Sequence, residues 1–400
     1  MRCSPSFGRS VIGVTASAFG VLALHAGQAA TVAPAHAAEA EAQPQNLAAR
    51  IAEYRKKLAE YKKARAAYER EAKPYWRTVT AKRSQRRRKR VRRLNDYVLE
   101  QPPLYTGPKE PVDPEAESKP RAIPVVADFL KHAKAHFGFT PEAPASEMDF
   151  KRAYARAASA AGLGRNTCVK IYGFEATGDG KHDVQAGLEY GRPTERAIST
   201  ALGYNQLLTA NSIGLAAKHG DTFLAALRAK AEAADGARRA ALQQKIAVLS
   251  KMIRFTRSVR YDWYAHVRLG KTEKGQGVHA LNLDIDIGPL LQTHKLLDSV
   301  AFAKRKGYDA PLAAAELEMM NLTGDGNGYD MVSMPADMRE KVPTSNFFQQ
   351  RGYERNPVAI RNNTVAKLIA ATDAKMEKEA KLPGALELAT AFDEVEGGGE

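Results

Sequence analysis

Cysteine is nearly absent from this sequence: Cys3 and Cys168 are the only two in 400 residues. Cys3 falls in an N-terminal segment that we expect to be removed, so the mature chain would keep one thiol and could form no internal disulfide. No histidine accompanies Cys168 in the pattern of a thiol nucleophile, which favours a buried apolar cysteine. Disulfide-stapled folds and cysteine catalysis are therefore not expected.

Long apolar runs are also lacking. The most apolar N-terminal stretch, residues 11–24, is too short and too weakly hydrophobic to predict a membrane-spanning helix. It follows a basic start and precedes small residues, which predicts a signal peptide over residues 1–37 with cleavage after Ala29 or Ala37. We therefore expect an exported protein, periplasmic or secreted. An uncleaved membrane anchor is the alternative.

Acidic residues are in deficit, since 45 Asp and Glu face 60 Lys and Arg and leave a formal net charge of +15 at pH 7. Much of this excess lies in the basic block from Lys82 to Arg93, which needs an anionic partner or abundant water. Behind a signal peptide no nucleic acid is expected. The available polyanions are the anionic envelope surface, with its lipid and lipopolysaccharide phosphates, and peptidoglycan carboxylates. A solvated helix face is the alternative.

A seven-residue period organises residues 38–100 into a basic helical arm. Apolar and aromatic residues recur at a and d positions, namely Leu47, Ile51, Tyr54, Leu58, Tyr61, Tyr68 and Tyr75. This spacing predicts a long helix that packs on its own domain or self-associates as a short stalk. Pro74 is expected to end or kink it, and the basic block could form a second helix reaching Leu99.

Proline punctuates the next segment, residues 101–124, which contains seven prolines and predicts an extended linker. Residues 125–380 have helical apolar spacing and much Ala and Leu, and no sustained Val/Ile alternation. Only residues 281–287 alternate and could form a short strand. Residues 381–400 are acidic and Gly-rich, which predicts disorder from Phe392 onward. The predicted fold class is mainly α.

The most informative acidic residue is Glu175. It closes the apolar stretch 169–174 and precedes the flexible sequence Ala-Thr-Gly-Asp-Gly. Desolvation by Phe174 and its neighbours would raise the pKa of this carboxyl, as a general acid requires. The alternative is a salt bridge at a helix end, with Lys170 or Arg165.

Two later segments accompany Glu175. The first is Ser-x-Ala-x-Gly-x-x-Gln at residues 199–206, and the second is an Ala- and Leu-rich stretch ending in Asn-x-x-Gly at residues 315–324. Their order and spacing resemble the lysozyme-like superfamily, in particular soluble lytic transglycosylases and goose-type lysozymes, over about residues 169–335. The resemblance implies a lysozyme-like helical domain that acts on peptidoglycan glycan strands.

The resemblance also assigns roles to residues. Glu175 would be the catalytic acid, and the sugar groove would be lined by Ser199, Gly203, Tyr204, Gln206, Asn321 and Tyr329. Transglycosylation needs no second carboxylate, because the substrate's own N-acetyl and 6-hydroxyl groups take part and leave a 1,6-anhydro end. Hydrolysis would need a second carboxylate, for which Asp179, Asp183 and Glu189 are the candidates.

A second class of function stays open beside the enzyme. Met320 and Ala176 stand where the family usually has Tyr and Ser, which favours a non-catalytic glycan-binding or structural protein of the cell envelope on the same scaffold. No cofactor and no metal are expected. His132 and His136 lack a third ligand, and residues 325–330 have no Glu at the twelfth position of a calcium loop, so a turn is expected there.

Overall fold

The computed structural model describes residues 44–89, 91–115, 123–188 and 197–397. The predicted signal peptide, Arg90 and Glu189 lie outside these residues. Helices dominate the described residues and no strand occurs among them, which confirms the mainly α class. None of the helices in these residues combines the length and the hydrophobicity needed to cross a membrane.

The α-helices of the described residues are numbered in chain order. They are α1 (Pro44–Arg86), α2 (Val126–Phe137), α3 (Glu147–Ala160), α4 (Arg165–Glu175), α5 (Thr209–Ala233), α6 (Gly236–Thr256), α7 (Trp263–Gly270), α8 (Glu273–His279), α9 (Gly288–Arg305), α10 (Ala314–Thr323), α11 (Asp325–Val332), α12 (Ala336–Arg339), α13 (Gln350–Glu354), α14 (Pro357–Arg361), α15 (Val365–Glu379) and α16 (Pro383–Gly397). Short 3-10 helices occur at Leu94–Asp96, Ala280–Leu283 and Thr344–Phe347.

The arm helix α1 continues through Pro74, so the prediction that Pro74 ends the helix is wrong. A proline inside a helix costs roughly 3 kcal/mol. Here it lies on the exposed face, while the opposite face buries Ala72, Trp76 and Val79, and burial of side chains this large offsets a cost of that size. The second helix considered for the basic block is also wrong, because α1 ends at Arg86 and, among the described residues from there to Leu99, only Leu94–Asp96 form a further helical turn, of 3-10 type.

The arm is packed on the body of the protein. Trp76 and Val79 of α1 belong to the same apolar cluster as Met319 of α10 and Phe347. The described part of the proline-rich segment lies along α1 as well, with the ring of Tyr105 against those of Tyr61 and Tyr68 (centroids 6.2 and 5.5 Å apart). The arm therefore shares an apolar cluster with α10, and α1 itself packs on the 3-10 helix Thr344–Phe347.

Two further apolar clusters form the body. One joins α2, α5, α6 and α8, and the other joins α3, α4, α9, α10 and α16. The disorder predicted from Phe392 is wrong for the described residues, because α16 packs on α3 and α4 with Phe392 fully buried. Leu388, Ala391 and Phe392 follow helical spacing, and their burial outweighs the acidic and Gly-rich composition around them.

Two local predictions are also corrected. Residues 281–287 form no strand: the 3-10 helix Ala280–Leu283 is followed by a turn over residues 284–287. Their alternation reflects ion pairing, since the buried acids Asp284 and Asp286 both bind Lys245 of α6, at 3.0 and 2.6 Å. Residues 325–330 form the start of α11 instead of a turn. No group of three or more potential metal ligands occurs in the part of the chain that the structure describes.

Candidate functional site

Glu175 is the last residue of α4. The residues before it, Ile171 and Phe174, bury α4 in the core, while Glu175 itself is partly exposed. Its Oε1 accepts a hydrogen bond from Nδ2 of Asn321 on α10 at 2.6 Å. The structure thus brings together the predicted acid and one predicted groove residue, because α10 packs directly on α4.

The salt-bridge alternative for Glu175 is wrong. Lys170 is paired with Asp373 and Glu377 of α15, at 3.3 and 2.5 Å. Arg165 is paired with Asp393 of α16 at 2.8 Å. Both cations are paired with acidic residues of α15 and α16, so neither serves as the partner of Glu175.

A second carboxyl, Glu318, lies beside Glu175, and the sequence did not single it out. It stands one helical turn before Asn321 on α10 and is fully buried. Its oxygens have no partner in hydrogen-bond geometry among the described residues, yet the two carboxyls are close enough for each to change the pKa of the other. The sequence feature that could have indicated Glu318 is its Glu-x-x-Asn spacing to Asn321, which places both side chains on one helix face.

Burial raises the pKa of Glu175 to about 7; contact with Glu318, the charges of Lys375 and Lys295, and the Asn321 amide limit the rise. Burial raises the pKa of Glu318 well above its ordinary value, and the negative charge of Glu175 raises it further. Two carboxyls that share one desolvated site cannot both ionise easily. At neutral pH the pair therefore retains at least one proton.

Two lysines stand near this pair. Lys375 of α15 lies over the ring of Phe174, with Nζ 4.5 Å from the ring centroid. Lys295 comes from α9, and the charges of both lysines favour ionised Glu175. The side chains that act on Glu175 thus come from α9, α10 and α15, the helices around the end of α4. Together they would stabilise the carboxylate that remains once Glu175 gives up its proton.

The backbone is strained in two of the segments that the sequence singled out, the loop after Glu175 and residues 199–206. Among the described residues other than glycine, only Thr177 and Gln206 have a positive φ, at 56° and 44°. A β-branched residue such as threonine is rarely found there, and such strain concentrates at functional sites. Thr177 is exposed and comes two residues after Glu175.

These two segments also pack on each other. The amide of Gly203 donates to the carbonyl of Val184 at 2.9 Å, and the amide of Ala186 donates to the carbonyl of Ala201 at 3.0 Å. Gly203 has a φ of 80°, and a Cβ there would lie 2.5 Å from Nε2 of Gln292. Glycine is therefore required for the chain to turn at this point.

The other predicted groove residues are held by local contacts. Tyr204 is fully buried and donates its hydroxyl hydrogen to Glu147. Nε2 of Gln206 donates to the carbonyls of Gly203 and Val184, at 2.8 and 3.2 Å. Elsewhere, Oγ of Ser199 accepts from the amide of Ala201 at 3.1 Å, and the hydroxyl of Tyr329 donates to the carbonyl of Lys306 at 3.0 Å.

The predicted second carboxylates lie in the loop after Glu175. Oδ1 of Asp179 accepts from the amide of Gly384, at the start of α16, at 3.3 Å. Asp183 is half-buried, and its Oδ1 has no hydrogen-bond partner in the described part of the chain. Glu189 is outside the described residues. The carboxyl next to Glu175 is that of Glu318.

Several cations of the basic block are structural. Arg86 is buried and binds Asp330 at 3.0 Å, and buried Arg83 donates to the carbonyl of Asn346 at 3.1 Å. Arg88 and Arg93 have exposed positions. Arg83 and Arg86 therefore fix α1 to the body. Exposed cations such as Arg88 and Arg93 are the part of the block that an anionic partner could contact.

Comparisons of the chain with protein-family models, curated proteins and solved structures gave no match. The lysozyme-like resemblance therefore stays a prediction. The chemistry of the site is defined by its own geometry: a partly exposed carboxyl whose pKa burial raises to about 7, an amide bound to it, and a buried carboxyl beside it. Such a carboxyl is suited to donate a proton to a bound substrate.

Proposed function

We propose that this protein is an exported enzyme that cleaves peptidoglycan glycan strands, with Glu175 as the general acid. The observation that carries the proposal is a carboxyl at a helix end whose pKa burial raises to about 7 and which is still partly open to solvent. Cleavage of a glycosidic bond requires a proton on the leaving oxygen, and an acid with an elevated pKa supplies it.

The groups around Glu175 suit this role. When the proton passes to the glycosidic oxygen, Glu175 becomes a carboxylate. The hydrogen bond from Asn321 and the positive charges of Lys295 and Lys375 then stabilise it. These interactions are strongest with the ionised form, so they lower the free energy of the transition state more than that of the ground state.

The test is to incubate the mature protein with peptidoglycan sacculi and to analyse the soluble products by mass spectrometry. Glu175→Gln should abolish release, because it keeps shape but has no transferable proton. Glu377→Gln, an exposed glutamate of α15, is the matched control and should retain release. Anhydro ends would indicate transglycosylation, while reducing ends would indicate hydrolysis and direct attention to Asp179, Asp183 and Glu189.

A second candidate is a glycan-binding envelope protein without catalysis. It is favoured by the internal bonds of Gln206 and the burial of Tyr204, which leave fewer polar groups for a sugar. Parent protein that binds sacculi but releases no muropeptides would support this candidate. In either case the exposed cations Arg88 and Arg93 would contribute to attachment to anionic envelope components.

A further inference from the structure

Glu318 is a buried acid with no evident structural purpose. Its side chain is fully buried, and neither oxygen has a partner in hydrogen-bond geometry within the described residues. An ionised carboxylate in that position would lose several kcal/mol of hydration, so the carboxyl is neutral. A neutral carboxyl carries one O–H donor. The carboxyl of Glu175 lies beside it, because Asn321, one turn further along α10, binds Glu175 at 2.6 Å and α10 packs on α4.

We propose that Glu318 is a positioning residue whose retained proton forms a hydrogen bond to Glu175 after Glu175 has acted as an acid. This inference rests on the proposed function, in which Glu175 protonates the leaving oxygen. Glu318 and Asn321 then both donate hydrogen bonds to the Glu175 carboxylate from adjacent turns of α10. One face of a single helix thereby fixes the orientation of the acid.

The proton balance of the step is simple. The O–H proton of Glu175 moves to the glycosidic oxygen as the bond between that oxygen and the anomeric carbon breaks. The new carboxylate accepts hydrogen bonds from Glu318 and Asn321, and the proton of Glu318 never leaves. The hydroxyl that attacks the anomeric carbon, from water or from the sugar itself, returns its proton to Glu175.

Burial excludes a direct role for Glu318 in the chemistry. A fully buried carboxyl touches neither water nor glycan, so it cannot serve as the second carboxylate of a hydrolase. Besides the two glutamates, the charged groups that act on the pair within the described residues are Lys295 from α9 and Lys375 from α15, and Lys375 is also paired with Glu379 at 3.6 Å. Any change in titration must be interpreted with these groups in place.

The test compares Glu318→Gln with Glu318→Leu. Glutamine keeps the shape and an N–H donor without an ionisable group, while leucine removes the donor. The first measurement is ¹³C NMR of the glutamate side-chain carboxyls in the resting protein across pH. In the parent we expect one carboxyl that remains protonated through neutral pH and is missing from both variants. In the Leu variant, Glu175 should titrate at a higher pH than in the parent, because its carboxylate has lost a donor.

The second measurement is muropeptide release. A hydrogen bond to a charged group is typically worth enough to change a rate by about ten- to a hundredfold. Glu318→Leu should lose release by that factor, and Glu318→Gln should restore most of it. Should the Leu variant fail to fold, Glu318→Met provides the apolar comparison.

The proposal is overturned if Glu318 titrates in the ordinary range of a glutamate, or if Glu175 titrates identically in parent and Leu variant. These NMR results do not depend on glycan cleavage. A parent protein that shows the retained proton but releases no muropeptides would therefore count against the proposed function while supporting the hydrogen bond from Glu318.

Discussion

Replacing Glu175 by glutamine should stabilise the protein at alkaline pH. A carboxyl that is largely shielded from water lowers the free energy of unfolding once it ionises. Burial raises the pKa of Glu175 from 4.5 to about 7 in the folded protein. Because the folded pKa is the higher one, the stability contribution of this group is complete below pH 4.5 and is lost as the pH rises through about 7. Glutamine has no proton to lose and escapes this penalty.

The size of the effect follows from the same rise in pKa. A change from 4.5 to about 7 corresponds to on the order of 3 kcal/mol of free energy of unfolding. The stability of Glu175→Gln relative to the parent should therefore be higher at pH 8.5 than at pH 4 by up to about 3 kcal/mol. Urea unfolding followed by circular dichroism at the two pH values measures this difference.

Glu377→Gln is the matched control for that experiment. Lys170 lowers the pKa of Glu377, so its stability contribution is present above the unfolded pKa and is lost as the pH falls. The stability of the control relative to the parent should therefore be lower at pH 8.5 than at pH 4. The difference should be small because Glu377 is exposed. A Glu175→Gln variant with the same relative stability at pH 4 and pH 8.5 would refute the argument that Glu175 holds a proton in the folded state.

Three further outcomes test the rest of the account. Asn321→Ala removes the 2.6 Å hydrogen bond to Glu175 and should lower muropeptide release about tenfold or more; unchanged release in a rate assay would remove Asn321 from the site. Arg86→Gln breaks a buried ion pair and should lower the free energy of unfolding by roughly 3–5 kcal/mol in urea titrations, whereas equal stability would make the pair dispensable. Arg88→Gln with Arg93→Gln should leave stability unchanged and weaken sedimentation with anionic vesicles at low salt, and binding that ignores both salt and the substitutions would leave these arginines as a solvated surface.

The sequence was sufficient for the helical class and for the position of Glu175 at the end of a buried apolar segment, whereas its role as an acid stays a prediction. The spacing of apolar residues along the sequence indicates helices directly. An acidic residue at the end of an apolar stretch is likewise visible in the sequence alone. Glu318 could not be predicted as its neighbour, because that pairing depends on how α10 crosses α4 in three dimensions. The basic block poses the same difficulty, since composition does not distinguish buried Arg86 from exposed Arg88.

Errors arose where packing outweighed local preference. Pro74 did not end α1, because the burial of Trp76 and Val79 on the opposite face offsets the lost hydrogen bond. The chain end around Phe392 is a helix for the same reason, because Leu388, Ala391 and Phe392 on one face pack into an apolar cluster of the body. Local composition indicates the secondary structure that a segment prefers in isolation, and burial in the folded protein can override that preference.

The central claim is that Glu175 is the acid of a glycan-cleaving site, and its most direct test is the rate of muropeptide release from sacculi as a function of pH. For the parent we predict release that declines as the pH rises above about 7, because the pKa of Glu175 lies there and only the protonated form can donate. Glu175→Gln should show no release at any pH. Release by the Gln variant at the parent rate, with the same pH dependence, would contradict the account.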